Sequence, residues 1–274
     1  MSRFTSKIVL TLLIFTVVPE ELSAQTLMET HGWITFEAYT HGQDKKAALQ
    51  RSHRSEFLGI VDLYRWRQLT LTLLIGTTTD ISNQQDETKY LDRIIYTYTY
   101  GGRIDLKKLV IRADYHHDCI HLLNRPEING STWWNAFQVR VGSKGSFFLY
   151  VPSDYQKEQN GLIGNLDARV GFSAFRKAGS SLQTGQNHNY KYEWSNLTRL
   201  HLAKLDRWIM FADQTNKLWI TWDGEREYKG EITLNAMYRG KEQYLGLFYE
   251  YHFPDSYEKD REGRLGSVGL RILF

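Results

Sequence analysis

The chain has 274 residues, with 34 Lys plus Arg against 31 Asp plus Glu and a formal charge of +3. Its 14% aromatic content is too high for a disordered chain. Its single Cys excludes a disulfide scaffold or a multi-cysteine metal site. The near-balanced charge argues against a dedicated nucleic-acid binder, whose basic residues gather on one face.

Arg3 and Lys7 precede an apolar run from Ile8 to Val18; Pro19 breaks it, and Leu22-Ser23-Ala24 offers a small residue at a cut. This is the charged, apolar and cleavage order of a secretory signal peptide. Eleven apolar residues fall short of the roughly 20 that a spanning helix needs. Residues 1–24 are therefore expected to be a leader and 25–274 a single mature domain. Losing Arg3, Lys7, Glu20 and Glu21 leaves the charge at +3. No later segment holds an 18-residue apolar run, so the exported product is either soluble or crosses a membrane as strands.

Period-two segments then recur, as in Leu69-Thr70-Leu71-Thr72-Leu73, in Leu109, Ile111, Ala113 and Tyr115, and in Ile232, Leu234, Ala236 and Tyr238. Successive strand side chains point to opposite faces, so each segment has one apolar and one mixed face. The pattern predicts strands near 31–41, 54–64, 68–78, 90–101, 105–117, 132–142, 145–152, 162–176, 188–200, 205–213, 216–223, 229–239, 242–253 and 264–274. That makes about fourteen; twelve follow if 145–152 and one neighbour are loops. Short links (64–68, 101–105, 142–145, 213–217, 239–242) are interspersed with longer ones (41–53, 79–89, 118–131, 152–161, 254–263). This is the rhythm of an antiparallel transmembrane β-barrel, with turns in the periplasm and loops outside. Pro126, Pro152 and Pro254 all fall in or beside long links, where no ladder bond is lost. Tyr96, Tyr98 and Tyr100 on one face, Tyr190, Tyr192 and Trp194 on another, and Trp208, Trp219 and Trp222 in a later hairpin suit a lipid interface.

In the last segment Val268, Leu270, Ile272 and Phe274 alternate with Ser267, Gly269, Arg271 and Leu273. This terminal pattern resembles the C-terminal signature of bacterial outer-membrane β-barrels. The resemblance implies an all-β antiparallel barrel with both termini periplasmic, in the bacterial outer membrane. Its partners would be the barrel-insertion machinery, outer-membrane lipids and lipopolysaccharide. It implies no cofactor, and it leaves activity and oligomeric state open.

By phase, Arg112, Arg140, Asp167, Arg169, Glu250 and Arg271 line the lumen, together with Glu37, Gln138, Asn165, Asn235 and His252. Mixed charges there predict either a porin-like passive channel that screens solutes by charge or an interior sealed by ion pairs. One segment stands apart, running from Asp114 through His116, His117, Asp118 and Cys119 to His121. Asp114, His116 and Asp118 share a face, a spacing that can orient an imidazole between carboxylates, and Ser131 begins the returning strand. Outer-membrane phospholipases and lipid A deacylases use a histidine-assisted nucleophile or a bound ion on the barrel wall. The likeness is one of residue type and location. Three readings stay open: a polar rim of mutual partners, hydrolysis of envelope-lipid esters, and a metal site of His116, Asp118 and His121. Cys119 reads as a packed or loop thiol. A surface scaffold or adhesion barrel is a further alternative.

Overall fold

The computed structural model describes residues 25–42, 51–82, 93–122, 132–147, 160–176, 190–241, 243–253 and 265–274. The expected leader and Ser131 lie outside these. The elements are β1 (Gln25–Gly42), β2 (Arg51–Trp66), β3 (Leu69–Ser82), β4 (Arg93–Asp105), β5 (Leu109–Leu122) and β6 (Thr132–Ser143), then α1 (Lys144–Phe147) and β7 (Gly161–Leu162). There follow β8 (Leu166–Arg176), β9 (Tyr190–Leu205), β10 (Trp208–Thr221), β11 (Arg226–Arg239), β12 (Tyr244–His252) and β13 (Leu265–Leu273). Twelve strands pair antiparallel in one sheet, and β13 pairs with β1, so the sheet closes on itself. The two-residue β7 is the thirteenth strand. It pairs with β9 at Ala203 and Lys204, and residues 163–165 carry its line on to β8 through backbone bonds to Leu202 and His201.

Twelve barrel strands replace the fourteen expected, for two reasons. In the range 145–152, residues 145–147 belong to α1 (144–147) instead of a strand, and 148–152 lie outside the described residues. Residues 205–213 and 216–223 are not a hairpin either, since 213–217 lie in the middle of β10. The polar run Asp213-Gln214-Thr215-Asn216-Lys217 reads as a turn, yet every residue in it is laddered to both β9 and β11. Asp213, Thr215 and Lys217 face the lumen, which accepts polar groups. Asn216, on the outer face, donates to Asn196 Oδ1 at 2.9 Å and accepts from the Tyr228 hydroxyl at 2.5 Å. The true turn is at 206–207, where Asp206 has a φ of 54°; Arg67 has the same φ in the turn at 67–68. A positive φ at the first central residue gives a two-residue hairpin the right-handed twist of its strands, and aspartate tolerates it. Trp208 accordingly sits at the short-turn end of β10, apart from Trp219 and Trp222.

The wall is apolar outside and polar inside. Phe36, Phe57, Ile75, Tyr98, Phe137, Val170, Trp194, Leu234, Leu247 and Val268 are exposed outward, strand after strand. Thr35, Asp62, Thr72, Asp114, Arg199, Asp213 and Ser267 are buried inward. In water such a wall would leave a continuous apolar belt uncovered; in hydrocarbon that belt is solvated and closure removes the sheet edges. Close approach across the lumen face needs glycine at Gly101, paired with Asp114 in β5: a Cβ there would strike the Ala113 carbonyl oxygen and lie 2.7 Å from Asp114 Cα.

Side chains pack into the lumen at the short-turn end. Phe211, Met237 and Leu273, packed with Trp33 and Tyr244, form an apolar floor on the β10–β1 side. On the opposite side α1 lies against β5, β6, β8 and β9. Between them Arg199 donates to both oxygens of Asp213 at 2.7 Å and to Gly145 O at 2.9 Å, and its guanidinium stacks 4.3 Å from the Phe211 ring.

Candidate functional site

The strand period divides the chemistry of β5 into two sites on opposite sides of the wall. Even positions face the lumen. Arg112 Nε donates to both oxygens of Asp114 at 2.8 and 2.9 Å, and Arg140 of β6 bridges to the same carboxylate. Asp114 is 1% exposed, so two guanidinium groups surround one buried anion. His116 Nε2 lies 2.9 Å from Asp118 Oδ2 while its Nδ1 lies 2.9 Å from the Thr99 hydroxyl, and the Thr97 hydroxyl donates to Asp118 at 2.6 Å. The structure thus brings Asp114, His116 and Asp118 onto one face, as the spacing predicts, inside the barrel.

Most residues expected to line the lumen face it; the His252 side chain lies outside what is described. Asp167 holds His201 Nε2 at 2.9 Å. The Arg169 guanidinium lies 5.3 Å from the Phe147 ring of α1. Arg271 donates to the Thr35 hydroxyl at 3.2 Å and stacks 4.6 Å from the Phe248 ring, and Glu250 accepts from Thr233 at 3.4 Å. Asn165 departs from the expectation: it precedes β8 at an exposed position of the irregular 163–165 stretch. In the lower lumen, Arg112 and Arg140 meet a carboxylate, and Arg169 and Arg271 meet aromatic rings.

Odd positions of β5 face outward, beside the tyrosines of β4. Cys119 Sγ lies 3.2 Å from His121 Nε2. His117 Nδ1 lies 2.8 Å from Oδ1 of Asn135, its register partner on β6. Since the amide oxygen only accepts, Nδ1 carries the proton and Nε2 is the basic nitrogen in the neutral ring. Tyr96 meets His121 edge-on at 5.4 Å, and Tyr98 lies against His117 at 6.2 Å. Cys119 therefore stands between two imidazoles, each about 7 Å away along the strand axis as counted from backbone positions. Cys119 is ten residues above Leu109 in β5. At about 3.4 Å per residue and a tilt of about 40° that is about 26 Å, the upper limit of an apolar band about 25 Å tall. The thiol and its imidazole sit where acyl chains meet headgroups.

This parity also separates the proposed metal ligands. His116 and Asp118 point inward and His121 outward, so the three do not converge; among the described residues no group of three or more His, Cys, Asp or Glu side chains has metal-binding geometry. The outward constellation is out of phase with Asp114, His116 and Asp118, so the spacing of those three does not point to it. The signal was the odd register of His117, Cys119 and His121, in phase with Tyr115 and with the tyrosine face of β4.

No protein-family model and no curated protein matches the chain. Among solved structures it is similar to a COG4313 outer-membrane channel from Pseudomonas putida F1, at 11% identity and a TM-score of 0.55 over 94% of this chain and 98% of that one. It is also similar to the KdgM porin, at 6% identity and 0.48 over 89% and 98%. The third is outer membrane phospholipase A from Escherichia coli, at 13% identity and 0.44 over 91% and 94%. The closed sheet, its inverted polarity and this likeness agree: the chain has the fold of the bacterial outer-membrane β-barrels.

Proposed function

We propose that this barrel hydrolyses acyl esters of envelope lipids on its outer wall, with Cys119 as nucleophile and His121 as its base. The observation that carries the reading is the 3.2 Å contact between thiol and imidazole on the lipid-facing side, at headgroup depth. A nucleophile and base within hydrogen-bond reach are the minimum that acyl transfer requires. As Sγ attacks the ester carbonyl carbon, His121 Nε2 takes the thiol proton. The tetrahedral intermediate then collapses to a thioester, and the alkoxide leaves as an alcohol with the proton from His121. Water, deprotonated by the same imidazole, releases the fatty acid and restores the thiol. His117, oriented by Asn135, is the positioning partner on the other side of Cys119.

The test is fatty-acid release from phospholipid or lipid A in mixed micelles by the purified, folded protein. C119A is expected to abolish release and H121A to lower it by about 10²–10⁴-fold. H116A, altered inside the lumen, keeps the wild-type rate. A folded protein that releases no fatty acid, or a C119A variant at full rate, overturns the reading.

A channel is the second reading. It is favoured by the ionisable upper lumen, where Trp219 donates to Glu193 at 2.7 Å, Tyr190 donates to Glu227 at 2.6 Å, and Lys229 pairs with Glu231 at 3.2 Å. Steady conductance in planar bilayers, altered by charge reversal at Arg140 or Arg169, would support it over the wall reading.

A further inference from the structure

Two polar residues in the middle of β10 lie outside the barrel. Asp213, Thr215 and Lys217 face the lumen, so Gln214 and Asn216 between them face outward. Gln214 is six residues above Trp208, which follows the turn at the rim. At about 3.4 Å per residue and a tilt of about 40° that is about 16 Å, well inside an apolar band about 25 Å tall. Gln214 is exposed, and no hydrogen bond joins it to another described residue. Asn196, its diagonal neighbour on β9, accepts from Asn216, while its own amide N–H groups donate to no described residue. Hydrocarbon offers neither donor nor acceptor, so an unmet amide at this depth is costly.

The wall around these amides is arranged for close approach. A Cβ at Gly230 would lie 3.2 Å from Asn216 Oδ1 and 3.3 Å from the Tyr228 hydroxyl, so glycine there leaves room for the hydrogen bonds from Tyr228 to Asn216 and on to Asn196. Thr198, opposite Gln214, and Ala212, two residues below it, keep the surface low, while exposed Trp194, Leu200 and Leu234 stand out around it. Small residues of this kind let membrane-embedded walls meet closely, with polar side chains bonding across. A membrane protein keeps one orientation across the bilayer. A two-fold axis between copies therefore runs along the membrane normal and brings each residue level with its own counterpart. An amide both donates and accepts, so two Gln214 side chains at one depth satisfy each other, which an acyl chain cannot do.

We propose that the outer face of β9–β11 is the interface of a two-fold homodimer, with Gln214 paired to its counterpart at hydrocarbon depth. β10 lies four places round the barrel from β5, so Cys119 stays clear of this interface and the proposal stands independently of the wall reaction.

Cross-linking of the full chain in lipid vesicles tests it, with A212C/C119A set against L73C/C119A. Ala212 and Leu73 both face outward, four residues above the first residue of their strands, but β3 is six places round the barrel from β10. Mild oxidation should link A212C/C119A into dimers and leave L73C/C119A monomeric. Equal linking of the two marks random collision and overturns the proposal, as does failure of A212C/C119A to link. Sedimentation equilibrium in density-matched micelles tests the amide pair. Q214L suits a lipid-facing monomer, yet the loss of two hydrogen bonds should weaken dimerisation at least about tenfold. Unchanged dimerisation in Q214L overturns the pairing. A wild type that stays monomeric, or that carries lipopolysaccharide or another protein on this face instead, overturns the dimer. A heat-dependent mobility shift on a gel verifies that each variant is folded.

Discussion

Replacing Asp213 by alanine tests whether the lower lumen is dry. Arg199 and Asp213 have side chains 2% and 10% exposed and share two hydrogen bonds of 2.7 Å. Without the carboxylate, the guanidinium keeps the Gly145 carbonyl and the Phe211 ring but loses both hydrogen bonds to Asp213. Breaking a buried pair from one side costs about 3–5 kcal/mol. Replacing both partners by apolar residues, R199M/D213L, removes the stranded charge and lies between neutral and about 4 kcal/mol of gain. Against this stands about 1–3 kcal/mol for the Gly145 carbonyl left without its donor. The double variant should thus fall within about 3 kcal/mol of wild type and clearly above D213A. Urea unfolding from lipid vesicles, followed by tryptophan fluorescence, measures both. With a slope of about 3 kcal/mol per molar, D213A lowers the midpoint by about 1–1.7 M. If D213A costs less than about 1 kcal/mol, water reaches the pair and the sealed lumen is wrong. If the double variant is as unstable as D213A, the loss comes from packing and not from a stranded charge.

Three more outcomes follow from the wall. G101A forces a methyl against β5 backbone and should lose about 1–3 kcal/mol. G102A meets the Leu69 and Leu71 side-chain ends at 3.3 and 3.4 Å and should lose clearly less, with equal urea midpoints refuting the contrast. L234R places a charge five residues above the rim residue Arg239, at about 13 Å, near mid-bilayer, and should cost about 2–4 kcal/mol; L245R, beside the rim, should cost about 0–1. Equal costs in vesicle refolding would mean that this face does not meet hydrocarbon. In planar bilayers the wild type should show no steady conductance, whereas R199M, which releases Gly145 and with it α1, should show openings; steady wild-type current would remove the closed floor.

Much of this architecture was readable because strand alternation is a local rule. The phase of Leu166 to Phe172 placed Asp167 and Arg169 inward, and the phase of β5 placed Arg112 and Asp114 inward. Strand count was less readable because it depends on links. Asp213 to Lys217 carries turn-forming residues, and only ladder partners on both sides reveal that it is strand. Residues 145–152 alternate well enough for a strand, but Gly145 packs against Asp167, the Ser146 hydroxyl caps the Ser143 carbonyl at 2.7 Å, and Arg199 reaches across to bind the turn. Those contacts come from residues distant in sequence. The ion pairing in the lumen was hidden for the same reason: the sequence offers mixed charges, and only distances show that Arg103 meets Asp62 at 2.9 Å and that Arg199 meets Asp213.

The energetic meaning of His117, Cys119, His121 and Asn135 depends on their height. At mid-bilayer, polar groups on the lipid face would be costly; at the interface the cost falls to about 0–1 kcal/mol even for a charge. Tolerance alone therefore does not explain them, since tyrosine or tryptophan would suit that depth better. What distinguishes the cluster is pairing: an amide fixes one imidazole, a second imidazole meets the thiol, and the tyrosines of β4 flank both rings. A sulfur serving only to pack has no need of an imidazole nitrogen at 3.2 Å, whereas a sulfur that must lose a proton at headgroup depth does. Alkylation separates the two. Iodoacetamide should modify Cys119 faster in wild type than in H121A at the same pH, and equal rates would leave the contact without chemical consequence.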